Sequence, residues 1–416
     1  MNSDIVFDRS KFQQFSYKAA FFCAICFMFF IPSATMLMNV FIFLTFIFFC
    51  LSGNIKKQLI VIWSNPVAKN GLCLFGLLLL GIIWSIADIA ESLDILKKYN
   101  ELWYIAFLIP IFDTPQRREI GINVFLISMG ITLVGVYLLY FEFMPTPEWT
   151  IMGKAQRFNV DHGFSSHIIT NILMSFAMFI VAHKSIIKKG HSKWLYIFLF
   201  LFSSYYVLFI STGTTGQIIA IALLSLLAIQ HLRMKAILFV PLLMIFISII
   251  SFSVENNSVQ HAINKIMVRI DKSNPDFTAE VNARPRLYIQ ALKTIIEDPW
   301  IGTGTGSYKE AIRTKQLDFF NRTDHSKNPH NEYLLIAVQL GIIGLLALLY
   351  LFIIQATTTR KINNIEHKYI AQGLVLLMII GCMFNSLILN SRNGHFWAFF
   401  SALLFSNLNE KQSNAS

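Results

Sequence analysis

His330-Asn331-Glu332-Tyr333-Leu334-Leu335-Ile336-Ala337-Val338-Gln339-Leu340-Gly341-Ile342-Ile343-Gly344 carries the chain out of a polar stretch and back into apolar sequence. Nearly everything before position 254 is apolar, whereas residues 254–331 gather Arg, Lys and His. A histidine therefore stands at the mouth of an apolar helix, beneath a basic loop. That arrangement points to chemistry at a membrane surface on an anionic, lipid-bound substrate.

The composition agrees. The 416 residues are 55% hydrophobic and 14% charged, against about 25% charged in soluble domains. The chain reads as an all-α integral membrane protein. A crossing helix needs about 20 apolar residues, and about twelve such segments are present. They lie near 17–31, 35–51, 70–87, 100–112, 119–141, 164–183, 194–210, 214–230, 236–253, 332–355, 369–389 and 395–407. The chain divides into nine spans with short loops (1–253), a large, partly helical loop (254–331), and three spans with a polar tail (332–416). The polar first residues and the absence of a small-residue cleavage site argue against a cleaved signal.

Charge sets the orientation. With the first residues inside, the short internal loops collect Lys56, Lys57, Lys69, Arg117, Arg118, Lys184, Lys188, Lys189, Lys193, Arg233, Lys235, Arg360, Lys361 and Lys368. The short external ones collect Lys97, Lys98, Lys154, Arg157 and Arg392. This asymmetry follows the positive-inside rule and puts the large loop outside the cytoplasm. The net charge of +11 thus needs no nucleic-acid partner. Cys23, Cys26, Cys50, Cys73 and Cys382 lie in apolar runs, so neither a disulfide framework nor a zinc site is expected. A thiolate at Cys23 or Cys26 would need a polar setting. No Asp-x-Asp metal motif lies on the external side, and Asp88, Glu91 and Asp94 read as a solvated helix face.

Two parts of the large loop have pattern. Apolar residues at 288, 291, 292, 295 and 296 recur at helical spacing, and Pro285 suits a first helical position. Arg284 and Arg286 then sit at a helix start. Each is either a solvated cation or a phosphate grip, for which a guanidinium and free helix N–H groups are suited. Gly302-Thr303-Gly304-Thr305-Gly306-Ser307-Tyr308 reads as a tight turn and lacks the context of a dinucleotide fingerprint. His330 is either a surface histidine or a proton acceptor for a hydroxyl. Asn331 and Glu332 are placed to orient its ring. Gly341 and Gly344 offer a smooth face for close helix contact. His325 is a weaker candidate base.

At these residues the chain resembles a known group. His330-Asn331, nine residues, then Gly341-Ile342-Ile343-Gly344 is similar to the His-Asn-x9-Gly-x-x-Gly signature of bacterial O-antigen ligases. Arg286-Leu287-Tyr288 and the run from Asp298 to Tyr308 resemble the loop of the wider O-antigen ligase and polymerase superfamily. The resemblance is sharpest over 284–344. It implies a GT-C-like, cofactor-free, metal-independent, inverting glycosyltransferase of the bacterial inner membrane, with its active site facing the periplasm. The donor would be a glycan on undecaprenyl diphosphate and the acceptor a sugar of lipid A–core. By position, His330 matches the general base and Arg286 a diphosphate ligand.

One departure stands out. Ser211-Thr212-Gly213-Thr214-Thr215-Gly216-Gln217 has Thr214 where related ligases often carry arginine. Arg157 and Arg392 are external and are candidate replacements, or are interfacial cations. An O-antigen polymerase and a protein O-oligosaccharyltransferase, which use the same donor, are the nearest alternatives. The latter tend to be longer, with an added external region. A transporter would line a path with ionisable residues at mid-membrane depth, and the spans are almost free of them.

Overall fold

The computed structural model describes residues 11–53, 55–151, 154–161, 163–232, 283–313 and 328–406, together with Lys235 and Leu408. The helices are α1 (Lys11–Phe30), α2 (Thr35–Leu51), α3 (Ile55–Ser64), α4 (Pro66–Leu80), α5 (Ile89–Lys97), α6 (Glu101–Leu108) and α7 (Pro115–Tyr140). They continue as α8 (His167–Ile187), α9 (His191–Tyr205), α10 (Thr214–Leu232), α11 (Ala283–Glu297), α12 (Tyr308–Arg313), α13 (Glu332–Thr358), α14 (Ile365–Phe384) and α15 (Ser391–Phe405). Asn65, Thr114, Ser166, Asn331, Asn364 and Asn390 each cap a helix start with a side-chain oxygen, satisfying N–H groups that the helix leaves open.

The all-helical expectation holds apart from one small hairpin. β1 (Glu148–Ile151) pairs antiparallel with β2 (Lys154–Arg157), with Glu148 opposite Arg157. Among the described residues, six helices are long and apolar enough to cross a membrane, in α7, α8, α9, α10, α13 and α14. The predicted span 236–253 and His325 lie outside the described residues. Other predicted spans are shorter than expected. The 70–87 segment is helical only to Leu80, and 100–112 is α6 followed by a 3-10 turn, Ile109–Phe112. α15 has 15 residues and buries every one from Asn393 to Phe405. It is a central pillar packed on α6 and α14. A helix apolar all round is a core element whatever its length. Exposed apolar stripes lie elsewhere, as at Ile343, Leu346, Tyr350 and Ile353 on α13. Lys184, one of the predicted loop cations, is buried and joins α7, α8 and α14 through Glu119 (2.6 Å) and Glu366 (2.9 Å).

Helix α13 is broken at Gly341, whose backbone turns to φ 62°, ψ −157°. This conformation is essentially restricted to glycine. The glycine-rich run enters the break. Thr303 and Gly304 donate N–H groups to Val338 O (2.9 Å) and Gln339 O (2.8 Å), and Ile342 N–H reaches Pro299 O (2.7 Å). The loop thus supplies partners to Val338 O, Gln339 O and Ile342 N–H, groups that the break takes out of the helix ladder. On its other side the same run is bonded to the end of α4, where Thr305 N–H meets Gly81 O (2.9 Å) and its hydroxyl meets Leu78 O (2.6 Å). A Cβ on Gly302 would lie 2.5 Å from Val338 O, and one on Gly341 2.3 Å from Trp300 O. Thus Gly302-x-Gly304-x-Gly306 is an inserted backbone wedge, not only a turn. Gly341 is the slot that receives it, while the predicted smooth helix face is interrupted there.

The α14–α15 connection also departs from expectation. Residues 385–389, predicted as the end of a span, are not helical. Asn385 is extended (φ −156°, ψ 159°), and the Glu332 carboxylate accepts from Ile388 N–H (2.9 Å), Leu389 N–H (3.3 Å) and the Tyr99 hydroxyl (2.8 Å). Glu332 is fully buried, so these three donors stand in for water.

Two outcomes follow from these contacts. Gly341→Ala should destabilise the protein by about 2 kcal/mol or more, whereas Gly130→Ala, at a helical glycine facing open space, should be neutral or stabilising by up to about 1 kcal/mol. Thermal unfolding in detergent measures both, and equal melting temperatures would refute the wedge. Glu332→Leu should leave buried donors unpaired, at about 1–3 kcal/mol each, and speed amide deuterium exchange at 385–390. Unchanged exchange there would remove Glu332 as the anchor.

Candidate active site

Pro329 is buried and His330 half-buried where the chain turns into α13. His330 adopts φ +53°, a left-handed conformation uncommon outside glycine, asparagine and aspartate. The Asn328 side chain accepts the His330 N–H at 2.9 Å, an Asx turn that supports this geometry. The imidazole Nδ1 lies 3.4 Å from Asn385 Oδ1. With that amide oxygen as acceptor, Nδ1 holds the proton and Nε2 keeps a lone pair.

His330 borders a cavity of about 400 Å³, whose wall includes Lys98, Ser166, Asn328, Asn385, Ser386, Asn390, Ser391 and Asn393. Amides and hydroxyls share it with the aliphatic side chains Ile168, Ile169, Leu387 and Leu389. Three of the wall's buried polar atoms, Asn385 Nδ2, Ser386 Oγ and Asn393 Oδ1, have no protein partner among the described residues. Buried polar atoms are normally paired. A cavity offering both donors and acceptors of this kind suits a polyhydroxylated, uncharged group. Lys98 adds the cavity's cationic side chain among the described residues and is 3.1 Å from Asp94.

Among the described residues, Asn331 and Glu332 bond to groups other than the imidazole. Asn331 caps α13 through Leu334 N–H (3.1 Å) and donates to Met383 O (3.0 Å). Glu332 holds the loop that carries Asn385. Burial pushes the phenol of its partner Tyr99 well above the ordinary range, so Tyr99 remains a hydrogen-bond donor. Of the predicted supporting residues, Asn331 and Glu332 therefore reach His330 through the segment 383–389, and Asn385 makes the direct contact.

Arg284 is half-buried in the first turn of α11. The side chains of Arg286 and Arg157 lie outside the described residues. The backbone still places Arg286: Tyr288, two positions on, donates to Met383 O at 3.3 Å. That bond sets the start of α11 beside the strand of chain leading to Asn385. Arg392 is engaged at the start of α15. Its Nε reaches Thr35 Oγ1 and its Nη1 Pro32 O, each at 3.0 Å, with Phe164 O at 3.5 Å. It clamps α15 to the α1–α2 turn.

Thr214 is exposed at the first position of α10. Its neighbours are tightly held. Thr212 N–H and hydroxyl contact the Asp161 carboxylate at 2.7 and 3.0 Å, and Asn171 donates to Gly213 O at 2.7 Å. A Cβ on Gly213 would be 2.8 Å from His167 O. The segment thus lies against the first turn of α8, whose Ser166, Ile168 and Ile169 line the cavity. Asn385, Ser386, Asn393 and Lys98 were not singled out from the sequence. Their signal was polar pairs, Asn385-Ser386 and Asn390-Ser391, interrupting an apolar run.

No curated protein matches the chain at a significant level. A family model described as O-antigen ligase matches residues 197–349, which run from α9 through the glycine wedge and His330 into α13. That match, over the segment that builds the wedge and carries His330, supports a likeness to the O-antigen ligase/polymerase superfamily.

Proposed function

We propose that this protein is an O-antigen ligase. It moves an O-antigen glycan from undecaprenyl diphosphate to a sugar of lipid A–core, inverting the anomeric centre without a metal ion. The observation that carries this reading is the His330 imidazole at a cavity whose wall mixes amides and hydroxyls with aliphatic side chains, three of its buried polar atoms having no protein partner among the described residues. Such a wall matches sugar hydroxyls, and the Nε2 lone pair matches a proton to be removed.

In the reaction, the acceptor hydroxyl oxygen attacks the anomeric carbon and its proton passes to His330 Nε2. The bond from that carbon to the diphosphate oxygen breaks, and the diphosphate leaves with the electron pair. Arg286 and Arg284, on the first turn of α11, meet the developing charge together with the helix N–H groups. Arg157 and Arg392 complete the proposed set of external cations, Arg392 chiefly through its hold on the α15 start. Asn385 keeps the proton on His330 Nδ1. The proposed setting is the inner membrane, with a GT-C-like arrangement of about twelve spans and the cavity on the periplasmic side. The asymmetry of Lys and Arg between short loops supports that orientation.

The direct test is transfer from purified undecaprenyl-diphosphate glycan to lipid A–core. His330→Ala should lower turnover by about 10²–10⁴-fold, with the fold retained by circular dichroism. Normal turnover would end its assignment as base. Asn385→Ala should lower turnover less and Asn385→Asp should restore part of it, since a carboxylate also accepts from Nδ1. Arg286→Ala should impair transfer and donor binding together. EDTA should have no effect, and metal dependence would overturn the mechanism. In cells, loss of a ligase leaves bare cores and accumulated lipid-linked polymer. Cores capped by one repeat would instead assign the chain as a polymerase.

A further inference from the structure

We infer that a second sugar-binding chamber, built on the buried Glu101–His395 pair, adjoins the His330 cavity and holds a further ring of the same glycan. This rests on reading the His330 cavity as a sugar site. The second chamber has a volume of about 340 Å³ and lies between α2, the α5–α6 turn and the first turns of α6 and α15. It shares Lys98 and Ser391 with the first. One oligosaccharide can therefore occupy both.

Glu101 and His395 line this chamber and are 1% and 5% exposed. Glu101 Oε1 is 2.8 Å from His395 Nδ1, and the same nitrogen contacts Ser391 O. Between two acceptors, Nδ1 must carry the proton, which leaves Nε2 with a lone pair. Glu101 Oε2 and His395 Nε2 are both buried and have no protein partner among the described residues. Two adjacent acceptors without donors ask for hydroxyl hydrogens. Phe46 and Trp103 put aromatic side chains on the chamber wall, suited to the C–H side of a pyranose. Space for the carboxylate is built in: a Cβ on Gly394 would come within 2.7 Å of Glu101 Cγ.

A purely structural pair would be expected to satisfy its own atoms. A lipid tail in the chamber would leave Oε2 and Nε2 unpaired against hydrocarbon, which is unfavourable. A sugar ring satisfies both the acceptors and the aromatic wall.

The test uses the full chain in detergent micelles and saturation-transfer NMR. The probes are methyl hexosides and the disaccharides maltose, cellobiose, lactose and chitobiose. At least one disaccharide should bind about tenfold tighter than its methyl hexoside, the gain expected from hydrogen bonds to a charged group. Glu101→Gln and His395→Gln should abolish that gain. Asn39→Trp, from the exposed face of α2 that lines the chamber, should do the same by filling it without touching the buried pair. A gain that survives Asn39→Trp overturns the inference. Methyl hexoside binding that needs His330, with no added gain from any disaccharide, overturns the chamber and leaves the ligase reading standing. No sugar binding at all removes both. A phospholipid retained by the wild type and lost from Asn39→Trp would assign the chamber to lipid and overturn it.

Discussion

The break in α13 at Gly341 is the constraint on which the rest of the site depends. Backbone polar groups in a low-dielectric setting must be paired, so a helix can be interrupted there only if something replaces its lost bonds. The run 299–306 does so on one face of the break and binds the end of α4 on the other. One short segment thereby ties the large loop, α4 and α13 together. It fixes the direction of the first half of α13, and hence where Asn331 and Glu332 begin it. A side chain at Gly302 or Gly341 would occupy the space that this backbone needs.

From that start, two buried carboxylates hold the cavity wall. Glu332 grips the backbone at Ile388 and Leu389. Glu101 acts through His395 on the carbonyl of Ser391. The connection between α14 and α15 is thus held at both ends, and Asn385 and Asn390 project from it. A buried carboxylate is expensive when unpaired and adds little net stability when paired, compared with an apolar replacement. Its benefit here is conformational. The non-helical course of 385–390 is set by side-chain-to-backbone bonds that an apolar core would not specify.

Much of this was legible in the sequence. Composition showed the membrane class, the apolar runs showed most helices, and His330-Asn331 marked the helix start at which the cavity forms. Gly302, Gly304, Gly306, Gly341 and Gly344 were visible as unusual, but their pairing was not, because two segments some forty residues apart recognise each other through backbone alone. Hydropathy also ran past Phe384, since Leu387, Ile388 and Leu389 are as apolar as any span. What stops the helix is Glu332, more than fifty positions away. Glu101 and His395 were hidden by a related limit. They sit at the starts of the two shortest apolar segments, where a charged residue reads as a helix end facing water. The structure instead buries them against each other.

The charge balance around a diphosphate follows from the same accounting of partners. Thr214 brings no cation, Thr212 is committed to Asp161, and Arg392 is bonded to the α1–α2 turn. The loop side differs. α11 begins with Arg284 and Arg286, and its first N–H groups carry the positive end of the helix dipole. Tyr288 sets that turn beside Met383, two residues before Asn385. In the proposed reaction, the leaving diphosphate is therefore met from α11, while the acceptor hydroxyl is met from His330. Placing stabilisation and deprotonation on separate elements, both referenced to the same stretch of backbone, allows attack and departure to occur on opposite faces of one anomeric carbon. An arginine at position 214 would add charge from the α8–α10 side. With threonine there, the proposed reaction draws its cations from α11.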